Sequence, residues 1–103
     1  MVCISGETDY VIGENEVFRI GNGHPMMTRV TGLGCTATAL CGAFAAVTPN
    51  LARATAQAMA VMGIAGEMAA ENAEGPGTLQ VRLLDTLYHL TSDDITQRLK
   101  LDA

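Results

Sequence analysis

The segment from Leu51 to Asn72, LARATAQAMAVMGIAGEMAAEN, constrains the fold of this chain more than any other stretch. It consists mostly of Ala, Met, Gly and Val, and Asn50 directly before it can cap a helix. The pattern predicts a helix that is apolar on most of its faces, and such a helix is usually buried by neighbouring elements. Gly63 and Gly66 remove side chains three residues apart, which lets another backbone approach the helix closely.

Short strands are predicted before this helix. The segment MVCIS at the start is typical of a short buried strand, and Asp9 to Ile12 and Glu16 to Ile20 flank a short turn as in a hairpin. The glycines and proline of the following GNGHP segment predict a loop. Thr36 to Val47 is small and apolar, which predicts a buried helix that Pro49 ends.

Two further helices are predicted after the break at EGPG. Thr91 and Asp94 form a T-x-x-D capping pattern that begins a last short helix. The helix before it carries an apolar stripe at helical spacing, made of Leu79, Leu83, Leu84, Leu87, Tyr88 and Leu90.

The fold class that follows is α/β, with short strands first and then three to four helices. Two or three short strands supply too little surface to cover a helix as apolar as Leu51 to Asn72. We therefore expect residues 1–103 to be the C-terminal portion of a larger single domain whose N-terminal portion is absent.

Charge and cysteine content exclude several classes of protein. Six basic residues against eleven acidic ones give a net charge of −5, which argues against a broad basic face for nucleic acid. The three cysteines are odd in number and show no CxxC spacing, so neither a disulfide framework nor a zinc site is expected. A reducing, cytoplasmic location is the simpler interpretation. Val30 to Ala52 carries no charge, but its glycines, threonines and proline argue against a membrane span, and we expect no membrane partner.

The stretch RVTGLGCTATAL carries the most specific chemistry. Gly32 and Gly34 allow a tight turn in which backbone N–H groups approach a ligand, and the helix that follows adds positive partial charge at its start. Such a turn suits a phosphate or a developing oxyanion, and a thiol placed there, as Cys35 is, forms thiolate more readily than a free thiol does. A plain strand-to-helix turn with a small buried cysteine remains an open alternative.

The segment ISGETDY is a second candidate. Ser5 and Gly6 follow an apolar strand, and ligands bind at the carboxyl ends of strands in open α/β sheets. Glu7 and Asp9 lie two residues apart and could help to hold Mg²⁺, although two solvated carboxylates are the commoner outcome.

The histidines and the methionine pair carry weaker signals. His24 and His89 have no Cys or carboxylate at ligand spacing, so we expect surface or hydrogen-bonding roles for them rather than a metal site. Met26 and Met27 could line an apolar substrate pocket or simply fill the core.

Several motifs in one order resemble a known family. SGETDYV, GNGHPMMTRVTGLGC and EGPGT closely resemble the C-terminal portion of the hydroxyethylthiazole kinases of the ribokinase-like superfamily, over nearly the whole chain. The resemblance implies the C-terminal part of a ribokinase-like three-layer fold. It also implies ATP-dependent, Mg²⁺-requiring phosphorylation of the hydroxyethyl alcohol of 4-methyl-5-(2-hydroxyethyl)thiazole, a reaction of thiamine biosynthesis and salvage.

The resemblance also implies roles for individual residues. Ser5 corresponds to the ATP-binding hydroxyl, and Gly32 to the glycine that contacts the thiazole alcohol. Gly32, Leu33, Gly34 and Cys35 correspond to the anion hole, with Leu33 in a place that the family usually gives to a smaller residue. Cys35 stands where related sugar kinases place a catalytic aspartate. No metal ligand carries over to this chain.

The resemblance further implies a homo-oligomer, a trimer in the family, or a separate N-terminal portion as the partner. The alternative function is a truncated, non-catalytic remnant or interaction module that retains an anion-binding Gly-rich turn.

Overall fold

The computed structural model describes residues 1–102 and contains a four-stranded antiparallel sheet with helices packed on one face. The strands are β1 (Val2–Ile4), β2 (Asp9–Ile12), β3 (Val17–Ile20) and β4 (Leu101–Asp102). Their order in the sheet is β1-β2-β3-β4. Strand β4 was not predicted; it follows the last helix and pairs with β3.

The β2–β3 hairpin confirms the predicted one. Asp9 pairs with Ile20 and Ile12 pairs with Val17, and the turn is closed by a hydrogen bond from Gly13 N–H to Glu16 O at 2.8 Å. Strand β1 forms where MVCIS predicted it, but the prediction that it is buried is wrong. It is the first strand in the sheet order, and its three residues are exposed.

Four α-helices and one 3-10 helix follow the hairpin. The helices are the 3-10 helix Pro25–Arg29, α1 (Leu33–Val47), α2 (Leu51–Ala70), α3 (Pro76–His89) and α4 (Ser92–Arg98). Asn50 caps α2 as predicted, its side chain accepting the Arg53 N–H at 3.0 Å. Thr91 and Asp94 form the predicted capping box, which begins α4.

Helix α2 is the centre of the fold. Of its 20 residues, 14 are buried, and it packs against α1, α3, α4 and the β2–β3 hairpin. One core cluster lies between α2 and the sheet, with Val11, Ile20 and Met59 among its members. A second lies between α2 and α3 and includes Leu79 and Leu83. The burial predicted for this helix is therefore confirmed.

The burial predicted for the helix before α2 is wrong, and the apolar stripe of α3 is only partly buried. Helix α1 begins earlier than expected, at Leu33, and none of its residues is buried. In α3 the apolar stripe divides: Leu79 and Leu83 face the core, whereas Leu84 and Tyr88 are 63% and 85% exposed. Only one side of α3 meets α2, and a six-residue stripe is wider than that contact.

No helix within residues 1–102 is both long enough and apolar enough to cross a membrane.

Candidate functional site

A cavity of about 780 Å³ opens between the Ser5–Asp9 turn, the loop after β3, the first turn of α1 and the middle of α2. Ser5, Leu33 and Gly34, three of the predicted site residues, line it. Gly32 and Cys35 adjoin Leu33 and Gly34 in sequence but are not among the lining residues. A second recess of about 510 Å³, lined in part by Tyr10, Arg19 and Lys100, contains none of the predicted site residues.

The Gly-rich turn forms the N-terminus of α1. Gly32 has φ 91°, a left-handed conformation that favours glycine, and it precedes the first helical residue. The Thr36 N–H is bonded to Gly32 O at 3.1 Å, so the N–H groups of Leu33, Gly34 and Cys35 come before the first intrahelical bond. Together with the helix dipole, these groups favour an anion.

Open space surrounds both glycines of this turn. A Cβ at Gly32 or Gly34 would meet no atom within 4 Å, so packing alone does not require glycine at Gly34. Cys35 is exposed with a free thiol, so the alternative of a small buried cysteine is wrong. Leu33 is half-buried against the core cluster between α2 and α3.

The Ser5–Asp9 turn forms another wall of the cavity. The Gly6 N–H donates to Asp9 Oδ1 at 3.1 Å, which fixes the backbone directly after Ser5. Asp9 is only 6% exposed, and burial raises the pKa of its carboxyl, partly opposed by the Gly6 hydrogen bond. Glu7 is exposed, so the expectation of two solvated carboxylates holds for Glu7 and is wrong for Asp9. The register could have revealed this, because Asp9 shares a face of β2 with buried Val11.

The loop after β3 contributes both polar and apolar groups. His24 is exposed, and its Nδ1 accepts the Met26 N–H at 3.1 Å, which confirms the expected hydrogen-bonding role. Met26 and Met27 both pack against the core cluster between α2 and α3, and Met27 also lines the cavity, so core filling describes both residues and pocket lining describes Met27.

Sequence reasoning missed two polar side chains, Asn22 in this loop and on the cavity wall, and Glu67 behind the loop on α2. Asn22 is 3% exposed and donates from Nδ2 to Glu67 Oε1 at 3.0 Å. No motif pointed to this pair, because its members are far apart in sequence and meet only when the loop packs on α2.

The acidic residues do not form a metal cage. No group of three or more His, Cys, Asp or Glu side chains within residues 1–102 is placed to hold a metal ion. Asp9 Oδ1 is already occupied by the Gly6 N–H. The exposed Glu7 carboxylate on the cavity wall fits a Mg²⁺ ion that is bound mainly by phosphates, because Mg²⁺ often takes only one or two protein carboxylates.

The structure is thus an α/β protein in which a helix N-terminus and a serine at the end of a strand line the same cavity. The sequence model of the hydroxyethylthiazole kinase family matches residues 1–93. The chain belongs to this family, as its motifs suggested.

Individual relatives agree with the family match. The chain is 67% identical over 102 residues to the hydroxyethylthiazole kinase of Syntrophus aciditrophicus, covering 99% of this chain and 38% of the relative. It is 56% identical over 99 residues to that of Leptospira biflexa strain Patoc 1, covering 96% of this chain and 37% of the relative.

A solved structure has the same fold over nearly the whole chain. The hydroxyethylthiazole kinase protein from Pyrococcus horikoshii OT3 superposes with a TM-score of 0.93 at 41% identity, covering 97% of this chain and 39% of that one. The α/β fold class is thereby confirmed. The chain spans under two-fifths of the length of these relatives.

Proposed function

We propose that this chain takes part in ATP-dependent phosphorylation of the hydroxyethyl alcohol of 4-methyl-5-(2-hydroxyethyl)thiazole, as the C-terminal portion of a single ribokinase-like kinase domain. The observation that carries the proposal is the first turn of α1. Its N–H groups at Leu33, Gly34 and Cys35 precede the first intrahelical bond, and the turn borders a cavity that Ser5 also lines. The relatives' names support the reaction.

In this proposal each motif residue has a stated role, and Gly32 and Cys35 each have two. Ser5 binds the nucleotide, and Gly32 contacts the thiazole alcohol. Gly32, Leu33, Gly34 and Cys35 form the anion hole around the transferring phosphoryl group, where preorganised N–H donors stabilise developing negative charge. Cys35 accepts the proton of the attacking hydroxyl as the oxygen of the thiazole alcohol bonds to the γ-phosphorus. The bond between the γ-phosphorus and ADP breaks in the same step. A weak base suffices, because phosphoryl transfer depends mostly on positioning and charge stabilisation.

Mg²⁺ is proposed to enter with ATP and to neutralise charge on the phosphates. Glu7 is the exposed carboxylate on the cavity wall that would contact it.

The partner and location follow from the same proposal. The exposed apolar side chains on the sheet's outer face, Val2, Ile4, Ile12 and Val17, favour assembly, because large exposed apolar patches mark interaction surfaces. We propose a homo-oligomer, a trimer as in the family, or a complex with the portion of the relatives that this chain does not match. A cytoplasmic location is proposed because all three cysteines are free.

The test is thiazole-dependent release of ADP from Mg-ATP by the 103-residue chain, alone and with a polypeptide that supplies the remainder of the relatives. Cys35→Ala is expected to lower turnover by roughly 10²- to 10⁴-fold, the usual contribution of a general base. Cys35→Asp is expected to retain or raise it. Cys41→Ala is the matched control, since this half-buried cysteine lies on the same helix, outside the Gly-rich turn, and packs against the core cluster between α2 and the sheet, and turnover should not change.

The outcomes separate the candidate functions. An alanine variant with undiminished turnover would exclude Cys35 as the base. A folded chain that binds phosphate but shows no turnover under either condition would favour the non-catalytic remnant, which the names of the relatives do not support.

A further inference from the structure

The wall of the cavity formed by Gly23, His24 and Pro25 has no regular secondary structure before Pro25 and depends on side chains behind it. Its main attachment to α2 is Glu67. Glu67 Oε1 accepts the Gly23 N–H at 2.9 Å and Asn22 Nδ2 at 3.0 Å, so one carboxylate oxygen holds two successive residues of the loop.

Asn22 ties the same loop to the end of the chain. Its Nδ2 also donates to Arg98 O at 2.7 Å, and its Oδ1 accepts the Lys100 N–H at 2.7 Å. Both amide hydrogens and the amide oxygen of this buried side chain are therefore used, which leaves it one orientation. Loss of any one of these hydrogen bonds would leave a polar atom of the buried Asn22 side chain unsatisfied.

Two glycines of α2 let the loop approach closely enough for this bonding. A Cβ at Gly63 would lie 2.8 Å from Asn22 O, and a Cβ at Gly66 would overlap the Met27 side chain. Gly63, Gly66 and Glu67 thus form one surface of α2 that receives residues 22–27, and Met27 lines the cavity beside the residues that Glu67 holds.

From these contacts we infer that Asn22 and Glu67 are a positioning pair for the acceptor alcohol: they hold the Gly23–Pro25 wall in place and so set the affinity of the cavity for its substrate. This inference rests on the proposed function. Neither residue takes part in the chemistry. The side chain of Glu67 is only 14% exposed, and Lys100 Nζ lies 3.8 Å from its carboxylate. The shorter contacts of this carboxylate are the hydrogen bonds to the loop.

The test uses the 103-residue chain labelled with ¹³C at the methionine methyl groups. Met27, Met59 and Met62 line the cavity, so their methyl signals report both the position of the wall and the binding of added thiazole alcohol. Glu67→Ala removes both hydrogen bonds and is expected to shift the Met27 methyl signal and to weaken binding about tenfold, as loss of hydrogen bonds to a charged group implies.

Rescue by a conservative variant distinguishes positioning from general loss of stability. Glu67→Gln retains an amide oxygen that can accept from Gly23 and Asn22, so its Met27 signal and affinity should stay close to those of the unchanged chain. Glu67→Asp retains the charge, but its side chain is shorter by one methylene group and cannot reach Gly23 and Asn22. It should therefore behave like Glu67→Ala. This variant decides the question if Glu67→Ala does not fold.

Two control variants complete the design. Glu74→Ala removes an exposed carboxylate from the break between α2 and α3. Asn50→Ala lowers stability by removing the side-chain cap of α2, at the opposite end of that helix from Glu67. Neither should move the Met27 signal or change affinity.

The result that overturns the inference is a Glu67→Ala variant whose Met27 signal and affinity match those of the unchanged chain. An equal response to Glu67→Gln and Glu67→Ala would overturn it too. If the unchanged chain binds no thiazole alcohol, either alone or with a polypeptide that supplies the remainder of the relatives, the proposed substrate is wrong, and the Met27 signals of the Glu67 variants still decide whether the pair positions the wall.

Discussion

Helices α1 and α2 are both apolar and rich in alanine, yet their surroundings differ completely. In α2, 14 of 20 residues are buried, whereas α1 has no buried residue among its 15. Helix α1 carries no charged side chain at all, while α2 contains Arg53 and Glu67. Burial therefore does not follow the apolar character of the two sequences.

The difference comes from the number of elements that each helix meets. Helix α2 packs on α1, α3, α4 and the hairpin, and α1 packs chiefly along α2. Leu40 and Ala37 of α1 contact the core from one side, and Ala39 and Ala43 on the other side are exposed. The helix that starts at the Gly-rich turn is thus held by a single face, whereas the helix behind it is packed on several sides.

The largest expected effect is the loss of a core side chain from α2. Ile64 is fully buried, so Ile64→Ala should reduce the free energy of unfolding by about 3 kcal/mol. Leu40→Ala removes a half-buried side chain from α1 and should cost about 1 kcal/mol. Urea denaturation of the two variants measures both values, and equal losses would refute the contrast between the helices.

A matched pair of glycine substitutions should change stability in opposite directions. In Gly63→Ala the new Cβ would lie 2.8 Å from the Asn22 backbone oxygen, so the variant should lose about 1–3 kcal/mol by overpacking. In Gly42→Ala, on α1, nothing lies within 4 Å, and the better helix propensity of alanine should add about 0.5–1 kcal/mol. The shift in urea midpoint gives each sign, and a destabilising Gly42→Ala would show that α1 is more closely packed than described.

The smallest expected effect concerns Asp9, the buried carboxyl that faces the helix layer. Burial raises its pKa in the folded chain above the ordinary value of 3.8, so the folded state binds this proton more tightly than the unfolded state does. The resulting stability is present below pH 3.8 and is lost as the pH rises through the folded pKa.

Asp9→Asn retains an oxygen for the Gly6 N–H but does not ionise. The stability of this variant relative to the unchanged chain should therefore rise with pH across that window and then level off. Urea denaturation from pH 3 upward tests this, and a relative stability that does not change with pH would show that Asp9 is not held in a desolvated site.

Local signals in the sequence predicted much of this structure. Asn50 and the Thr91–Asp94 pair predicted helix starts because a cap depends only on residues three or four apart. The hairpin was predicted for the same reason, and the Gly-rich turn was placed correctly at a helix start. The burial of β1 and α1 was predicted wrongly, because an apolar segment shows only that it can be buried.

The motifs of the candidate site could be predicted from the sequence, but the side chains that hold its loop in place could not. Ser5 and Gly34 do line one cavity, but Cys35 is exposed beside it. Asn22 and Glu67 lie 45 residues apart and carry no motif, so only the packing of the loop on α2 brings them together.

The sequence by itself determined the family, the positions of the helix caps, the hairpin and the Gly-rich turn at a helix start, because each depends on short-range backbone geometry and on residue types at fixed spacing. Only the tertiary structure decided which apolar helix is buried, that Asp9 faces the interior, and which side chains hold the cavity wall. Those properties depend on contacts between residues far apart in sequence. Burial of an apolar side chain stabilises the folded state only where another element covers that side chain.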